Sequence, residues 1–236
     1  MGGNIGTPIL NLKIKKNIFL VIEASSFQLS HSKFIKPDYA ILLNISNDHV
    51  DWHGSMQAYV NSKFKIFHLQ KKSNYALVND SLKKIFKKRK FLSESIFVKF
   101  KEYKDIKFKI MNDYLKSKTN DENMKFVYTL AVLLKIKKDS FIKSMNSFKG
   151  LFHRYEIFLK KHGVTFINDS KATSLQSSKF ALASSKNIYW IVGGLPKEKD
   201  KINLSNVKNN IVKSYIIGKN ILFFKRLLEN KVEFAI

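Results

Sequence analysis

The 236-residue chain contains no cysteine, which excludes both a disulfide framework and a thiolate zinc site. Its longest apolar stretches, such as "NIFLVIEA" and "YAILLNI", fall far short of the roughly 20 residues that a membrane-spanning helix requires. The first residues also lack the charged and apolar regions of a signal peptide. We therefore expect a cytoplasmic protein with no membrane partner.

Arginine is scarce although the chain is strongly basic. The net charge is +25, yet only Arg89, Arg154 and Arg226 are arginines among 43 basic residues, which leaves 43 − 3 = 40 lysines. Arginine is the residue that best pairs bidentately with phosphate and with guanine. Because lysines occur in nearly every segment instead of along one stripe, we attribute the charge mainly to the coding bias of an AT-rich genome. We expect no specific nucleic acid partner.

The hydrophobic fraction of 44% and the aromatic fraction of 13% predict a globular chain. Short apolar runs alternate with helical patterns in the first half, which is typical of parallel β/α units. Strands are predicted at 17–23 and 38–45 with a helix at 25–34 between them. A helix is predicted at 55–70 with Ser55 as its N-cap, and the strand "YALVN" follows it.

Two further segments complete the first half of the chain. Residues from Ile96 to Met111 alternate apolar and polar side chains, which predicts a small antiparallel piece. Residues 120–148 predict two consecutive helices. A domain boundary is predicted near Gly150.

The second half predicts another α/β arrangement. Residues 154–170 predict a hairpin that turns at Lys161, His162 and Gly163, followed by a helix from about Ser174 and by the strands "NIYWIVGG" and "SYIIG". Both halves therefore predict open α/β sheets, whose ligand sites lie beyond the carboxyl ends of the strands.

Two polar residues follow predicted strands of the first half. Glu23 ends the apolar run from Ile18 to Ile22, and His49 follows the strand that ends near Asn44. We expect both side chains to emerge at the same edge of a parallel sheet, where a Glu and a His can share one divalent cation. The alternative is a loop-facing acid and a loop histidine without a metal.

One lysine occupies an unusual place in a predicted helix. Met56, Tyr59, Val60, Lys63 and Phe67 follow the helical spacing, so Lys63 lies on the apolar stripe. Lysines are rarely buried without a partner. Either the ammonium reaches water past an apolar stem, or the amine is modified or placed beside charge.

Two loops of the second half also follow predicted strands. In "NDSKATS", the residues Asp169, Ser170, Lys171 and Thr173 would surround a helix N-terminus, which is a natural anion site. In "GGLPKEKD", Lys197 would lie at the carboxyl end of a strand. Each motif is weak alone, and their repetition at strand ends favours a binding edge.

Five strings occur together and in a characteristic order: "GNIGTP", "EASSFQLS", "NDHVDWHGSMQAYVNSKFKIF", "HRYE" and "VTFINDSKATS". On these strings the chain resembles the Mur ligases, from Gly2 to about Asp200, and in particular those that add D-glutamate to UDP-N-acetylmuramoyl-L-alanine in peptidoglycan precursor synthesis. The resemblance implies a partial central ATPase-type parallel sheet domain at 1–149. It also implies an incomplete Rossmann-like C-terminal domain at 150–236, and thus an α/β fold.

The resemblance also implies roles for individual residues. ATP and Mg²⁺ are the implied cofactors, and Glu23, His49 and a carbamylated Lys63 are the implied metal-binding and catalytic residues. The implied ATP-contacting residues are Asn120, Asn123, Arg154 and Asp169. The implied substrate residues are Asn4 and Gln28 for the UDP-sugar and Asp48, Lys171, Thr173 and Lys197 for D-glutamate.

Some family features are missing from the sequence. Ser117, Thr119 and Ser174 replace the usual Gly, His and Asn, and the only Gly-Lys pair, Gly218–Lys219, precedes Asn220 instead of Ser or Thr. The uridine-binding domain and phosphate loop that would precede residue 1 are absent, as is the C-terminal segment that helps to hold D-glutamate. We therefore expect a fragment that is inactive alone, either one half of a split ligase with a separately encoded N-terminal half or an inactive remnant or binding module.

Overall fold

The computed structural model describes the chain except for residues 5, 14, 15, 17, 47, 48, 100, 117 and 197–201. For residues 101, 102, 113, 118 and 119 it describes the backbone only. The chain forms two compact units. Unit 1 comprises Met1–Glu102 and Lys125–Leu133, and unit 2 comprises Tyr103–Met124 and Leu134–Ile236. The domain boundary between residues 149 and 150 remains a prediction.

Unit 1 contains two parallel sheets in its described part. Strand β1 (Gly2–Gly3) pairs with β2 (Ile22–Glu23), and β3 (Tyr39–Leu42), β4 (Tyr75–Asn79) and β5 (Glu94–Val98) form a three-stranded sheet in that order. The helices that begin here are α1 (Ser26–His31), α2 (Val50–His53), α3 (Met56–Phe64), α4 (Lys83–Lys88) and α5 (Lys101–Lys107). A 3₁₀ helix at Lys65–Phe67 continues α3.

Strand β4 is the centre of the larger sheet and is buried on both faces. Ala76 and Val78 belong to a cluster with Phe64 and Phe67, whereas Leu77 belongs to a second cluster on the opposite face. That second cluster includes Phe126, Leu130 and Leu133 of the helix α7 (Lys118–Leu133). Parallel sheets need this cover on both faces, because their crossover helices pack there.

Local sequence features account well for the helix α3 and the strand β4. The Ser55 side chain accepts a hydrogen bond from the backbone N–H of Ala58 at 3.1 Å, which confirms the predicted N-cap. The predicted strand "YALVN" coincides with β4. The strand at 38–45 is also confirmed, although it is shorter than predicted.

The antiparallel piece predicted from Ile96 to Met111 is wrong. Strand β5 pairs in parallel with β4, with Leu77 opposite Ile96 and Val78 opposite Phe97, and α5 follows it. Alternation of apolar and polar residues indicates a half-buried strand, but it carries no information about the direction of the partner strand. The pairing is set by the crossover through α4, which returns the chain parallel to β4.

The strand predicted over residues 17–23 is wrong in its extent. Among the described residues 18–23, only Ile22–Glu23 forms a strand, because β1 supplies a ladder of two residues and then turns away at Gly3, whose φ is +114°. The apolar side chains before it are exposed, including Phe19 at 79% and Val21 at 60%. An apolar run predicts a strand only where a neighbouring strand is available for pairing.

Unit 2 contains a hairpin and a second parallel sheet. Strands β6 (Glu156–Lys161) and β7 (Val164–Asn168) form the predicted hairpin, and its turn residues His162 and Gly163 have φ values of +49° and +75°. Strands β8 (Ile188–Gly193), β9 (Ile211–Ile217) and β10 (Phe234–Ala235) form the sheet, with β9 in the centre. The remaining helices are α6 (Asp113–Lys116), α8 (Lys138–Ser147), α9 (Leu175–Ser184) and α10 (Ile221–Leu228).

The sheet of unit 2 has one well-packed face. Leu175 and Leu182 of α9 and Phe224 and Leu228 of α10 form a buried cluster with Val192 and Ile216 of the sheet. Along β8 and β9 the alternate side chains are exposed: Tyr189, Ile191, Tyr215 and Ile217. In the described part of unit 2, this open face is therefore apolar.

Within the described residues, no helix combines the length and apolar character needed to cross a membrane.

The aromatic cluster of unit 1 generates a stability prediction. The Phe67 ring is fully buried and lies 5.1 Å from the Phe86 ring and 5.5 Å from the Phe91 ring. We expect Phe67→Ala to lower the free energy of unfolding by about 3–5 kcal/mol, because it removes buried apolar surface and leaves a cavity. The measurement is urea unfolding followed by circular dichroism. Phe34→Ala, at a ring that is 87% exposed, is the matched control and should change stability by less than about 0.5 kcal/mol.

Candidate functional site

The Gly-rich opening of the chain holds Glu23 at the carboxyl end of β2. Gly3 pairs with Glu23, and a Cβ atom added to Gly3 would lie 2.3 Å from the Glu23 carbonyl oxygen. Only glycine permits this approach. The Asn4 backbone N–H then donates to the Glu23 carbonyl at 2.8 Å, and its side-chain amide lies 3.5 Å from Glu23 Oε1. The exposed Glu23 carboxylate is therefore positioned beside Asn4.

Gln28 has a structural role that the sequence did not reveal. The Ser25 hydroxyl accepts from the Gln28 backbone N–H at 3.2 Å, and Gln28 Oε1 accepts from the Ser25 backbone N–H at 3.0 Å. This reciprocal capping box fixes the start of α1. The predicted contact between Gln28 and a substrate remains a prediction.

His49 lies among aromatic rings just before α2. Its ring centroid is 4.7 Å from that of Phe27 in α1 and 6.3 Å from that of Tyr59 in α3. Its backbone is left-handed, with φ of +55°, which is uncommon for a residue other than glycine. Phe27 follows Glu23 by four residues, so the backbones of Glu23 and Phe27 lie within about 15 Å of each other.

His53 is a neighbouring residue that sequence reasoning missed. Its Nε2 atom lies 3.0 Å from the Ser26 hydroxyl and its Nδ1 atom lies 3.4 Å from the Ser62 hydroxyl. Burial lowers the pKa of His53, and the charge of His49 lowers it further. The pair of histidines at 49 and 53 in "HVDWH" was the available signal.

Lys63 reaches the carboxyl end of β3. Its amine donates to the Asn44 carbonyl at 3.2 Å and lies 5.1 Å from the Tyr59 ring centroid. The Tyr59 ring is 6.3 Å from the His49 ring, so the amine lies no farther than the sum of these distances, about 11.4 Å, from the imidazole centre. Lys63 is half-buried, which suits a stem that packs on Tyr59.

The donors of unit 1 suit a magnesium ion in chemical type. Glu23 offers an exposed carboxylate, and Mg²⁺ characteristically takes one or two carboxylates and keeps several waters. Among the residues that the structure describes, no group of three His, Asp or Glu side chains is close enough to hold a metal. A carbamate on Lys63 would add a second anionic ligand in this region. The predicted D-glutamate residue Asp48 lies outside the described residues.

The motifs "HRYE" and "NDSKATS" form one connected structure in unit 2. Asp169 Oδ1 accepts from the Tyr155 backbone N–H at 2.8 Å, and the Lys171 backbone N–H donates to the His153 carbonyl at 2.9 Å. The Asn168 side chain lies 2.9 Å from His153 Nδ1. His153 and Tyr155 both have positive φ, and such strained residues concentrate at functional sites. Together they hold Arg154, which lies between them.

Tyr114 lies beside three of the predicted ATP-contacting residues. The buried Asn120 donates from its side chain to the Tyr114 carbonyl at 2.8 Å. Burial raises the pKa of Tyr114, and the charge of Asp169 adds to this, whereas the Asn120 hydrogen bond and the Arg154 charge oppose it. Asn120, Arg154 and Asp169 therefore all influence this phenol, which sequence reasoning did not identify.

Burial also raises the pKa of the Asp169 carboxyl, and this is the largest influence on it. The Tyr155 N–H and the Arg154 charge act in the opposite direction. A partly buried carboxylate beside an arginine can accept hydrogen bonds from a polar ligand while the arginine binds an anionic part of the same ligand. Such a pair suits a ligand that has both hydroxyl and anionic groups.

The other predicted site residues of unit 2 that the structure describes have exposed side chains. Asn123 is exposed and lies one turn after Asn120 on α7, so both point to the same side of that helix. Lys171 and Thr173 are exposed in the loop before α9, whose N-cap is Ser174. The predicted residue Lys197 lies outside the described residues.

The Arg154–Asp169 relationship generates a pH-dependent prediction. We expect Arg154→Gln to raise the pKa of Asp169, because it removes a cation that stabilises the carboxylate. A carboxyl whose folded-state pKa lies above its unfolded value contributes stability at low pH, and this stability is lost as the pH rises through the folded pKa. The variant should therefore lose more stability than the unchanged chain as the pH rises from the unfolded pKa of Asp169 through its folded pKa. Carboxyl ¹³C titration by NMR and urea unfolding at several pH values measure both effects.

The control for this prediction is Arg226→Gln, at an exposed arginine of the same unit. It removes the same charge from α10 and should leave the Asp169 titration unchanged. Equal shifts in the two variants would show that the effect comes from net charge and not from the placement of Arg154.

Comparison with known proteins places this geometry in a family. The Mur ligase middle domain matches residues 4–138. The UDP-N-acetylmuramoylalanine–D-glutamate ligase of Wolbachia sp. subsp. Brugia malayi (strain TRS) is 34% identical over all of this chain and 59% of its own length. The ligase of the same name from Rickettsia prowazekii (strain Madrid E) is 32% identical over all of this chain and 57% of its own length. The one from Bartonella henselae (strain ATCC 49882 / DSM 28221 / CCUG 30454 / Houston 1) is 35% identical over 92% of this chain and 52% of its own length.

A solved structure of a Mur ligase has a similar fold. The MurF ligase from Thermotoga maritima in complex with ADP superimposes with a TM-score of 0.60, over 90% of this chain and 56% of that one, at 16% sequence identity. This likeness confirms the predicted α/β fold class. The chain spans between half and three fifths of the length of the sequence relatives described above. Since the middle-domain match covers more than half of the chain, the protein belongs to the Mur ligase family.

Proposed function

We propose that this chain is part of an ATP-dependent ligase that adds D-glutamate to UDP-N-acetylmuramoyl-L-alanine in the cytoplasm. The observation that supports the proposal is the linked pair of loops in unit 2, together with the hydrogen bond from Asn120 to the Tyr114 carbonyl and the influence of the Arg154 and Asp169 charges on the Tyr114 phenol. The names of the sequence relatives support the choice of substrates.

Nucleotide binding is proposed for unit 2. Arg154 offers a planar cation with several donors that suits a phosphate group. The Asp169 carboxylate suits hydroxyl donors such as those of a ribose, and the side-chain amides of Asn120 and Asn123 suit the polar edge of a base. The four residues are proposed to supply part of the contacts that one nucleotide requires.

Magnesium binding is proposed for unit 1. Glu23, His49 and a carbamylated Lys63 would hold the ion, which when bound neutralises charge on transferring phosphoryl groups. Carbamylation converts the Lys63 ammonium, which repels a cation, into an anion. The hydrogen bond from Lys63 to the Asn44 carbonyl keeps the amine at the carboxyl end of β3.

The proposed reaction has two steps. The γ-phosphoryl group moves from ATP to the carboxylate of UDP-N-acetylmuramoyl-L-alanine, which gives an acyl phosphate and ADP. The amine of D-glutamate then attacks the acyl carbon, an amide bond forms, and inorganic phosphate leaves together with a proton from the amine. Asn4 and Gln28 are proposed to orient the UDP-sugar, while Asp48, Lys171, Thr173 and Lys197 are proposed to orient D-glutamate.

Turnover is proposed to require a phosphate loop in addition to residues 1–236. This chain spans 59%, 57% and 52% of the length of the Mur ligase relatives described above, and the phosphate loop expected from the family has no counterpart in its 236 residues. The N–H groups of such a loop hold nucleotide phosphates. A separately encoded N-terminal half is one proposed source of these groups, and the alternatives are a remnant or a binding module.

The purified chain alone is expected to release no phosphate above background in the presence of ATP, Mg²⁺, UDP-N-acetylmuramoyl-L-alanine and D-glutamate. Addition of the N-terminal part of a 30–35% identical relative should restore phosphate release that depends on both substrates. Substrate-dependent turnover by the single chain would overturn the split arrangement. If the two parts fold and associate but the mixture releases no phosphate, the chain is an inactive remnant.

Lys63→Ala should abolish ligase activity in the reconstituted mixture, because the anionic ligand is lost. A short-chain carboxylate should restore part of the activity by taking the place of the carbamate. Lys72→Ala, at an exposed lysine of the same unit, is the control for the loss of one lysine and should respond to no carboxylate. Full activity of Lys63→Ala would mean that this side chain only packs on Tyr59.

A further inference from the structure

A basic cavity in unit 1 lies apart from every residue assigned above. The stretch "KKIFKKRK" at 83–90 contains six basic residues among eight, which makes it one of the most concentrated charge runs in the sequence. Its end forms one wall of a cavity of about 480 Å³. The residues that line the cavity are His68, Lys88, Arg89, Lys90, Phe91 and Leu92.

Arg89 is held in one orientation at this cavity. Its guanidinium donates to Asn61 Oδ1 at 2.9 Å, and the same oxygen accepts from the Gln57 side chain at 3.0 Å. The guanidinium carbon also lies 4.6 Å from the ring centroid of the fully buried Phe64. An arginine fixed in this way loses little conformational entropy when it binds an anion. It is also one of only three arginines in a lysine-rich chain.

The cavity lining also contains aromatic and apolar side chains. Phe91 contacts the buried core of unit 1, with ring centroids 5.0 Å from Phe86 and 5.5 Å from Phe67. The His68 ring lies 5.6 Å from Phe91. Leu92 is 64% exposed. A flat ring can pack on such side chains, because aromatic faces attract other π-systems.

The electrostatic character of the cavity is uniformly positive. Its lining contains three cationic side chains and no acid. Burial lowers the pKa of His68, and the charges of Lys65 and Arg89 lower it further, so the neighbouring cations act on this imidazole. A bound anion would offset those charges.

We propose that this cavity binds a small molecule that carries a phosphate chain on a flat ring, that is, a mononucleotide. The basic side chains of the lining match the phosphates, and the aromatic side chains match the ring. The cavity lies within the size range of small-molecule sites, whereas binding of a long nucleic acid requires an extended basic stripe. The site shares no residue with the nucleotide-, metal- or substrate-binding residues proposed above, and it does not depend on ligase activity.

The test uses the whole chain with isotope-labelled histidine and phenylalanine, and ADP and inorganic pyrophosphate as separate probes. ADP should produce saturable NMR shifts at His68 and Phe91, and pyrophosphate should bind at His68 at least about tenfold more weakly because it lacks the ring. These shifts report on this cavity even if ADP also occupies the proposed site in unit 2.

Two variants and one control localise the binding. Arg89→Gln should weaken ADP binding at His68 by about tenfold or more, since it removes a charge-assisted contact. Lys88→Gln, at an exposed side chain that the fold does not use, should weaken it about threefold and keeps the test valid if Arg89→Gln is unstable. Lys87→Gln removes the same charge from the same turn of α4 but lies outside the cavity lining, so its effect should be below about twofold.

Three results would overturn the proposal. One is the absence of a saturable shift at His68 and Phe91 with ADP. Another is an equal effect of Lys87→Gln and Lys88→Gln, which would mean diffuse attraction by the +25 chain. The third is binding of pyrophosphate as tight as that of ADP, or preference for a single-stranded oligonucleotide over ADP, since the ligand class would then be inorganic phosphate or nucleic acid.

Discussion

The parallel pairing of β4 between β3 and β5 is the constraint on which unit 1 depends. Neighbouring parallel strands must be joined by crossovers, and the crossovers place α3 and α4 over one face of the sheet. The same constraint puts the carboxyl ends of the strands at one edge. Lys63 reaches that edge through the Asn44 carbonyl, and His49 lies near it among the aromatic rings of Phe27 and Tyr59.

The second half of the candidate site depends on hydrogen bonds instead of a sheet edge. Two loops that are about fifteen residues apart in sequence are joined through Tyr155 and Asp169 and through His153 and Lys171. These bonds hold two residues in left-handed backbone conformations, and they orient Arg154 between them. The cost of such strained residues is of order 1–3 kcal/mol each, so the surrounding bonds must stabilise them.

The features that the sequence predicts well are those with local causes. Ser55 and Ser174 are helix N-caps because a short side chain can reach the third N–H that follows, and the turn at His162 and Gly163 follows from the conformations that a two-residue hairpin needs. The direction of β5 and the short length of β2 depend on partner strands elsewhere in the chain. Local periodicity therefore could not predict them.

The residues of the candidate site also divide into those that local motifs identify and those that depend on contacts between distant segments. The family resemblance assigned Arg154 and Asp169 to ATP, which stays a prediction, and the charges of both residues influence the Tyr114 phenol. No sequence motif surrounds Tyr114, so sequence reasoning did not identify it. Its pKa is raised by burial and influenced by Arg154 and Asp169, which are distant in sequence. His53 is similar, since its contacts to Ser26 and Ser62 join α1 to α3. Gln28 differs from both, because the family resemblance implies a contact with the substrate and the structure shows that its side chain also caps α1.

The open face of the sheet in unit 2 has a colloidal consequence. Tyr189, Ile191, Tyr215 and Ile217 present apolar surface to water, and two such faces attract each other when copies of the chain meet. The net charge of +25 opposes that encounter by mutual repulsion. At physiological ionic strength this repulsion extends only about 8 Å from the surface, and added salt shortens it further. Association of copies through this face is therefore expected to increase as salt is added.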